Sequence, residues 1–572
     1  MTCTKFKLTT VAALVFAATN ANAALYKVVE VTPSITGASE IFGVAIQPAT
    51  VTGTESCFTT GTVGGVACDS FKLAGETRNT LEAVSYREEV PFAMDALFQY
   101  IQERDDFKNY CYRELKYSTC ESWADNRWYD TWNKERNDLT YVNAKAFVEG
   151  GDTFDTRNTV INSLDEDAKP LGVKSEGNIR NNALFTTTAG PTGTSETRAW
   201  KAITASNGII YNVGSVSTEQ TITETSTPDK VFSSKAAIWD GTVTTELDWG
   251  ENVSEKANDY FSQGSMRGIT EVNNRFYGVG YNTVNGNSDL RDMNANVFIS
   301  NEIDFTNAVD LSTVTWENKF ISGAEVNSGS NNDDARYSNS VATDINDNLF
   351  AVGYSKRNGY VPENGSAGNK IFVVADASAA TPTATYLSGG IFFGGSSGEA
   401  KAVNNFNEFV GQIDAETTRE VDGSERRHRG FIYPYQANGT DASRIALFES
   451  KAWWLDDLTN DGNVSGDNNK FRIIDASDIN DAGVISATAI KCTVGGTTQA
   501  YDTTAHNSYC GGAASNAVEE VVAVKLIPIA GATKADIQTR STDTEKVDRQ
   551  GGSLGWLTLT VLGLLGFRRK FK

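Results

Sequence analysis

One short phrase recurs along this chain and restricts what it can fold into. The stretches "VNNRFYGVGYN" (272–282), "INDNLFAVGYS" (345–355) and "VNNFNEFVGQI" (403–413) each place an aliphatic residue before an Asn-Asn or Asn-Asp pair. Apolar residues and a Gly follow. "INDAGVISATA" (479–489) fits with Ala487 at the Gly position, and "ITGASEIFGVA" (35–45) and "LDEDAKPLGVK" (164–174) keep the same length. "ITASNGIIYNVGS" (203–215) fits with one extra residue. The seven aligned positions are 43, 172, 214, 280, 353, 411 and 487, with gaps of 129, 42, 66, 73, 58 and 76.

Asn and Asp tolerate left-handed backbone angles and bond to their own backbone, so each phrase reads as a tight turn between strands. The residues after the turn alternate or run apolar, as half-buried and buried strands do. A Gly within such a strand permits close approach of neighbouring backbone. Second apolar strands follow, such as "AAIWD" (236–240), "NVFIS" (296–300) and "KIFVVAD" (370–376). One hairpin cannot bury its own face, so units of this kind stack. Seven units predict an all-β protein, a β-propeller of seven blades, over a β-sandwich pair or an irregular solenoid. "ALYKVVEV" (24–31) and "EEVVAVKLIPI" (519–529) lie outside the first and last phrases and are expected to share one closing blade. The Asn and Asp residues of the phrases are read as turn formers, not ligands.

The long first gap holds an insertion, expected to be mostly helical over 76–160. "PFAMDALFQYI" (91–101) has helical apolar spacing, and the segment after it is rich in Tyr and carries Trp123, Trp128 and Trp132. Those aromatics are read as the core of a small helical subdomain. The competing reading is a sugar-binding platform.

The two ends differ from the body. "MTCTKFKLTTVAALVFAATNANA" pairs Lys5 and Lys7 with an apolar run and an A-x-A site at Ala21–Ala23, the pattern of a signal peptide cut between Ala23 and Ala24. At the other end, 531–550 is polar and reads as a linker. "GGSLGWLTLTVLGLLGFRRKFK" (551–572) follows, with an apolar stretch from Leu554 to Phe567 and then Arg568, Arg569, Lys570 and Lys572. That run is shorter than the roughly 20 residues usual for a membrane span, and the basic cluster is expected to stay cytoplasmic. Without the two ends the chain carries 72 acids against 44 bases. A body so acidic repels nucleic acid and anionic lipid, so no nucleic-acid partner is expected.

Beyond Cys3, six cysteines fall into three near pairs: Cys57 with Cys68, Cys111 with Cys120, and Cys492 with Cys510. Six thiols allow fifteen connectivities, but local spacing and an oxidising compartment favour these three disulfides. Metal ligation is the weaker reading, because no C-x-x-C occurs and His428 and His506 are the only histidines.

The tail resembles the Gly-Gly C-terminal sorting signal of exported Gram-negative proteins, in Gly551-Gly552-Ser553, the short Gly/Leu-rich helix and the terminal Arg cluster. That resemblance implies processing near Gly551 and Gly552 by a rhomboid-type intramembrane protease (rhombosortase), and export by type II secretion. The phrases resemble the repeats of exported bacterial proteins named for a His-Ala-Phe motif, although no such triplet occurs here. "AWWLDDLTNDG", "ASDIND", Cys492 with Cys510, and "VVAVKLIP" make the whole chain similar to a gammaproteobacterial family of unknown function that joins such repeats to the sorting tail. The resemblance implies architecture and export, and lends no catalytic residues.

Little in the sequence carries chemistry. "DLTNDGNVSGDNN" (457–469) has the outline of a calcium loop, with Asp457, Thr459, Asp461 and Asn463 as ligands, Gly462 at the turn, and Asp467 and Asn468 where a bidentate Glu is expected. A solvated Asx-rich loop is the favoured alternative, so calcium is a candidate cofactor only. Two histidines without a nucleophile elbow offer no Ser-His-Asp set, and no phosphate-binding loop occurs. No spacing singles out a pair of glycosidase carboxylates.

These observations predict an exported, transiently membrane-anchored propeller that ends at the cell surface or in the medium and binds a surface ligand, a glycan among the candidates. The alternatives are a secreted hydrolase acting on a polysaccharide or other extracellular polymer, and a structural envelope protein. Acids and aromatics clustered at one channel mouth would favour the hydrolase; uniformly turn-like acids would favour binding or scaffolding.

Overall fold

In the computed structural model the described residues lie between Ala24 and Arg540, apart from internal stretches of which 79–103 and 326–339 are the longest. Residues 1–23 and 541–572 are outside it, and with them the signal sequence, Gly551 and Gly552.

The phrases build a β-propeller. Blade 1 comprises Glu40–Ile46, Leu73–Arg78, Lys145–Val148 and Thr153–Phe154. Blade 2 runs from Glu196–Thr204 through Ile210–Ile222 and Asp229–Trp239 to Thr244–Glu246. Blade 3 follows from Gly264–Val272 to Trp316–Phe320, blade 4 from Ser340–Ile345 to Thr385–Tyr386, and blade 5 from Gly398–Val403 to Trp453–Trp454. Blade 6 orders Phe471–Ile479, Ile485–Val494 and Val518–Pro528, and its outermost strand is Tyr26–Glu30 from the other end of the chain. Tyr26 stands opposite Pro528 and Glu30 opposite Val524, so the two terminal strands close the ring as expected.

The blade count needs correction: six blades are complete, not seven. The phrase at 164–174 belongs to a three-stranded sheet of Thr159–Leu164, Pro170–Glu176 and Ile179–Ala183, packed between the first strands of blades 1 and 2. A phrase marks the corner between first and second strands, and a corner does not guarantee a fourth strand. The phrase at 35–45 also sits one strand early. Gly43 lies on the first strand of blade 1, and Gly75, paired with it on the second, occupies the position that the other phrase glycines hold.

Each first strand carries a β-bulge, and the phrase glycine pairs with the residue just before it. Gly214 faces Ala199, Gly280 faces Met266, Gly353 faces Ala342 and Gly411 faces Ala400. A bulge presses one carbonyl out of the ladder towards the partner strand. A Cβ would stand 1.8 Å from the Arg198 oxygen at Gly214, 2.0 Å from Ser265 at Gly280 and 1.9 Å from Glu399 at Gly411. At these positions the Gly is a steric requirement of the bulge, whereas blade 6 accommodates Ala487 opposite Ala476. Gly280→Ala should lower unfolding stability by about 1–3 kcal/mol. Gly151→Ala, where a Cβ meets nothing nearer than 3.6 Å, should leave it nearly unchanged. Equal denaturant midpoints for the two variants would refute the steric account.

The insertion leaves blade 1 between Arg78 and Lys145. Its described part holds two short helices, Arg104–Tyr110 and Cys120–Arg127, joined by the Cys111–Cys120 disulfide. Lys145–Val148 and Thr153–Phe154 are blade strands, so the helical part lies within 79–144.

Candidate functional site

The first strands line the channel, and their bulged residues join neighbouring blades. Asn162 donates from Nδ2 to the Ala199 carbonyl at 2.7 Å, Thr343 from Oγ1 to Ala400 at 2.8 Å, and Ser477 from Oγ to Gly43 at 2.8 Å. In each case the acceptor precedes the bulge of the next first strand. The bulges of blades 2 and 3 bring Trp200 and Arg267 together, with the guanidinium 3.5 Å from the indole centre.

Next to the bulges, residues of three alternate blades converge. Lys201 of blade 2 reaches Asp344 of blade 4 at 2.5 Å, and the other Asp344 oxygen accepts the Val403 N–H of blade 5 at 3.1 Å. Asp478 of blade 6 repeats that link, accepting the Ile46 N–H of blade 1 at 2.9 Å. Gly268 of blade 3 leaves room for the pair: a Cβ there would stand 2.9 Å from Asp344 Oδ1. Burial pushes the Asp478 carboxyl up to about 7, only partly opposed by Lys201. Burial also works against the charge on Lys201, but Asp344 and Asp478 outweigh it and hold the ammonium above its usual range. Lys401 bonds Asp475 at 3.0 Å farther along the wall.

This fixes the sign of a pH effect. Asp478 holds its proton to about 7 in the folded chain and releases it near 3.8 when unfolded. Its contribution to stability is complete below the unfolded value and is lost as pH rises through the folded one. Asp478→Asn removes that titration. The difference in Tm between parent and variant should change between about pH 4 and 7 and be flat above it. A difference independent of pH across that window would refute the assignment.

The phrase turns form a second tier at one end of the channel. Asn346 Oδ1 accepts the N–H groups of Asn348 and Phe350, and Asn404 Oδ1 those of Phe406 and Glu408, so the turn-forming role holds. The same side chains also run from blade to blade. Asn346 donates to the Asn404 carbonyl, Asn404 to Asn480, and Asn480 to Gln47. Asn405 donates from Nδ2 to both Asp347 and Asp481. Acids elsewhere on the rim staple turns. Asp165, Asp240, Asp310, Asp376 and Asp441 each accept an N–H two residues on.

Of the calcium-loop residues, the described Asp457, Thr459 and Asp467 each have a partner within the protein. Asp457 Oδ1 accepts the Arg540 N–H at 2.9 Å, Thr459 donates to the Leu455 carbonyl at 3.0 Å, and Asp467 pairs with Lys470 at 2.8 Å. Asp461 is half-buried and Asn463 lies outside the described residues. Asn468 binds the closing strand, accepting from Val28 N–H and donating to the Tyr26 carbonyl. The segment holds the first and last parts of the described residues: Leu25 N–H bonds Leu458, beside the Asp457 that holds Arg540. Among the described residues no group of three or more His, Cys, Asp or Glu is placed to hold a metal ion.

All three disulfides are present, Cys57–Cys68, Cys111–Cys120 and Cys492–Cys510. Ala24 is buried at the start of the described chain, and Ala23 lies outside it. In the insertion Trp123 is buried, its ring covered by Arg127 at 3.9 Å, and Phe107 packs against Trp123 and Trp128. Tyr112 and Tyr129 are its exposed aromatics, at 46% and 56%. Trp132 lies outside the described residues.

Sequence reasoning missed the run "RRHR". Each member meets an acid: Arg426 and His428 Nε2 reach Asp414, Arg427 reaches Glu416, and Arg429 reaches Asp456. Its acids come from other elements: Asp414 ends a blade 5 strand, Glu416 follows in the loop, and Asp456 lies in the short helix Leu455–Thr459.

A family model described as "Protein of unknown function (DUF3466)" matches residues 209–570, more than half of the chain. The chain belongs to this family. The match opens at the second strand of blade 2 and takes in blades 3 to 5 and the three strands of blade 6 from Phe471 onward, but not the closing strand Tyr26–Glu30, so the later phrases are the family's own sequence. No curated protein is significantly similar to the chain. No helix among the described residues is long and apolar enough to cross a membrane.

Proposed function

We propose that this chain is an exported propeller that binds a partner at the cell surface or in the medium. The observation that supports this reading is how its acids are used. Rim aspartates staple turns, and the channel pair Asp344 and Asp478 ties blade 4 to blade 5 and blade 6 to blade 1 through backbone N–H groups. Binding then falls to the outer surface, where the disulfide-closed insertion presents Tyr112 and Tyr129. Flat aromatic faces of this kind suit sugar rings, so a glycan is the ligand class to test first. The tail would be processed by a rhomboid-type sorting protease near Gly551–Gly552, with the type II secretion machinery carrying the body outward.

The purified chain from Ala24 to Gln550 should retain a component on a glycan array or in a surface-extract pull-down. Tyr112→Ala with Tyr129→Ala should weaken that retention at least tenfold without lowering Tm. Unchanged retention would move the binding surface elsewhere, and no retention in either format would refute the reading. Intact-mass measurement of the exported form tests the tail: a C-terminus still at Lys572 would leave an anchor and no processing.

A secreted hydrolase is the second reading, favoured by one feature. Asp478 keeps its proton near neutral pH beside a second carboxylate, as a general acid would. Polysaccharide cleavage that disappears in Asp478→Asn would establish it.

A further inference from the structure

The loop closed by Cys57–Cys68 grips the closing blade from both sides. On either side of the first cysteine, Ser56 Oγ accepts from Arg444 Nη1 at 3.0 Å, and the Phe58 carbonyl accepts the Gly531 N–H at 2.8 Å. The Phe58 ring stands edge-on to Tyr26 of the closing strand at 5.4 Å and to Phe448 at 5.8 Å. Past the second cysteine, the carbonyls of Asp69 and Phe71 accept from Lys525 Nζ, each at 2.8 Å. Lys525 lies on the strand that pairs with the closing strand, opposite Val29. Both cysteines are buried, and they pack with Ala523 and Ile527 of that same strand. The loop thus holds Tyr26 from one side of the seam and Lys525 from the other, with the disulfide fixing the span between the two grips.

We propose that the Cys57–Cys68 bridge is a redox-set strap on ring closure, so that the closing blade is held more firmly where the thiols are oxidised. Closure requires the first strand of the chain to find the last, the most distant pairing in the fold, and long loops close at high entropic cost. Fixing an eleven-residue loop that touches both strands prepays part of that cost. The bond forms by thiol–disulfide exchange. The two thiols lose two protons and two electrons to a disulfide-bearing oxidant, which leaves as its dithiol. In the dithiol form Ser56 and Phe58 are no longer held in register with Asp69 and Phe71, and the closing strand loses the loop's grip while keeping its ladder, its buried side chains and its bonds to Asn468 and Leu458. The strap acts in any oxidising setting, so it does not depend on the binding role.

Hydrogen exchange on the full chain from Ala24 tests this. In Cys57→Ser with Cys68→Ser, amides of 24–30 and 518–528 should exchange at least tenfold faster than in the parent, while those of blade 4 stay unchanged. Cys111→Ser with Cys120→Ser, which opens the insertion, should leave the closing blade at parental rates. If the first variant does not fold while the second does, the strap is needed for closure and the proposal stands. Phe58→Ala keeps the bridge and loosens one grip, and should show the same local pattern more weakly. Closing-blade exchange equal to the parent in the first variant, or a matching rise in the second, would overturn the proposal.

Discussion

Removing residues 24–30 should cost the protein its cooperative fold. That segment is the fourth strand of blade 6, and its backbone pairs with Val524–Pro528 over five registered positions. It buries Leu25, Tyr26 and Val28 in a core shared by blades 5 and 6. Fully burying a large apolar side chain is worth about 1.5–3 kcal/mol, so three of them approach the whole net stability of a domain, roughly 5–15 kcal/mol. The deletion also bares the edge of Val518–Pro528, an eleven-residue strand rich in Val, a template for association between chains. The expected result is a Tm lowered by more than about 10 °C, or no cooperative transition, with aggregates in size-exclusion chromatography. A synthetic peptide of residues 24–31 added in trans should restore part of the transition. A truncated monomer melting within a few degrees of the parent would show that the ring does not depend on this closure.

Glu408→Gln is expected to cost about 3–5 kcal/mol, far more than an ordinary surface change. Glu408 is completely buried and receives Arg444 Nε at 2.8 Å, with Asn404 donating to its other oxygen. Arg444 is itself buried, lying 4.5 Å from the Phe406 ring centre and 4.8 Å from that of Phe58. Taking away the carboxylate leaves a guanidinium with no countercharge in a site that water does not reach. The loss belongs to the stranded charge, not to the pair as such. Glu408→Gln combined with Arg444→Met should therefore recover much of it. Chemical denaturation of the two single variants and the double decides this. A double variant as unstable as the sum of the singles would place the cost in packing instead of charge.

The sequence by itself determined the local grammar of this protein. Asn346, Asn404 and Asn480 carry the turn in their own side chains, and Asx turns need no distant partner. Alternating apolar residues placed the strands, and the three disulfides followed from spacing because each joins cysteines no more than 18 residues apart. Tertiary structure decided what depends on pairing. Gly43 and Gly75 look alike in sequence, and only the ladder shows that Gly75 faces the bulge carbonyl of Phe42. Three strands where a full blade would have four could not be inferred from a corner phrase, since fourth strands here are short and belong to no repeat. Lys201 meets Asp344 143 positions along the chain, and Asp478 comes in from beyond both. Such a contact is set by ring closure, and ring closure is a property of the whole chain that no local stretch encodes.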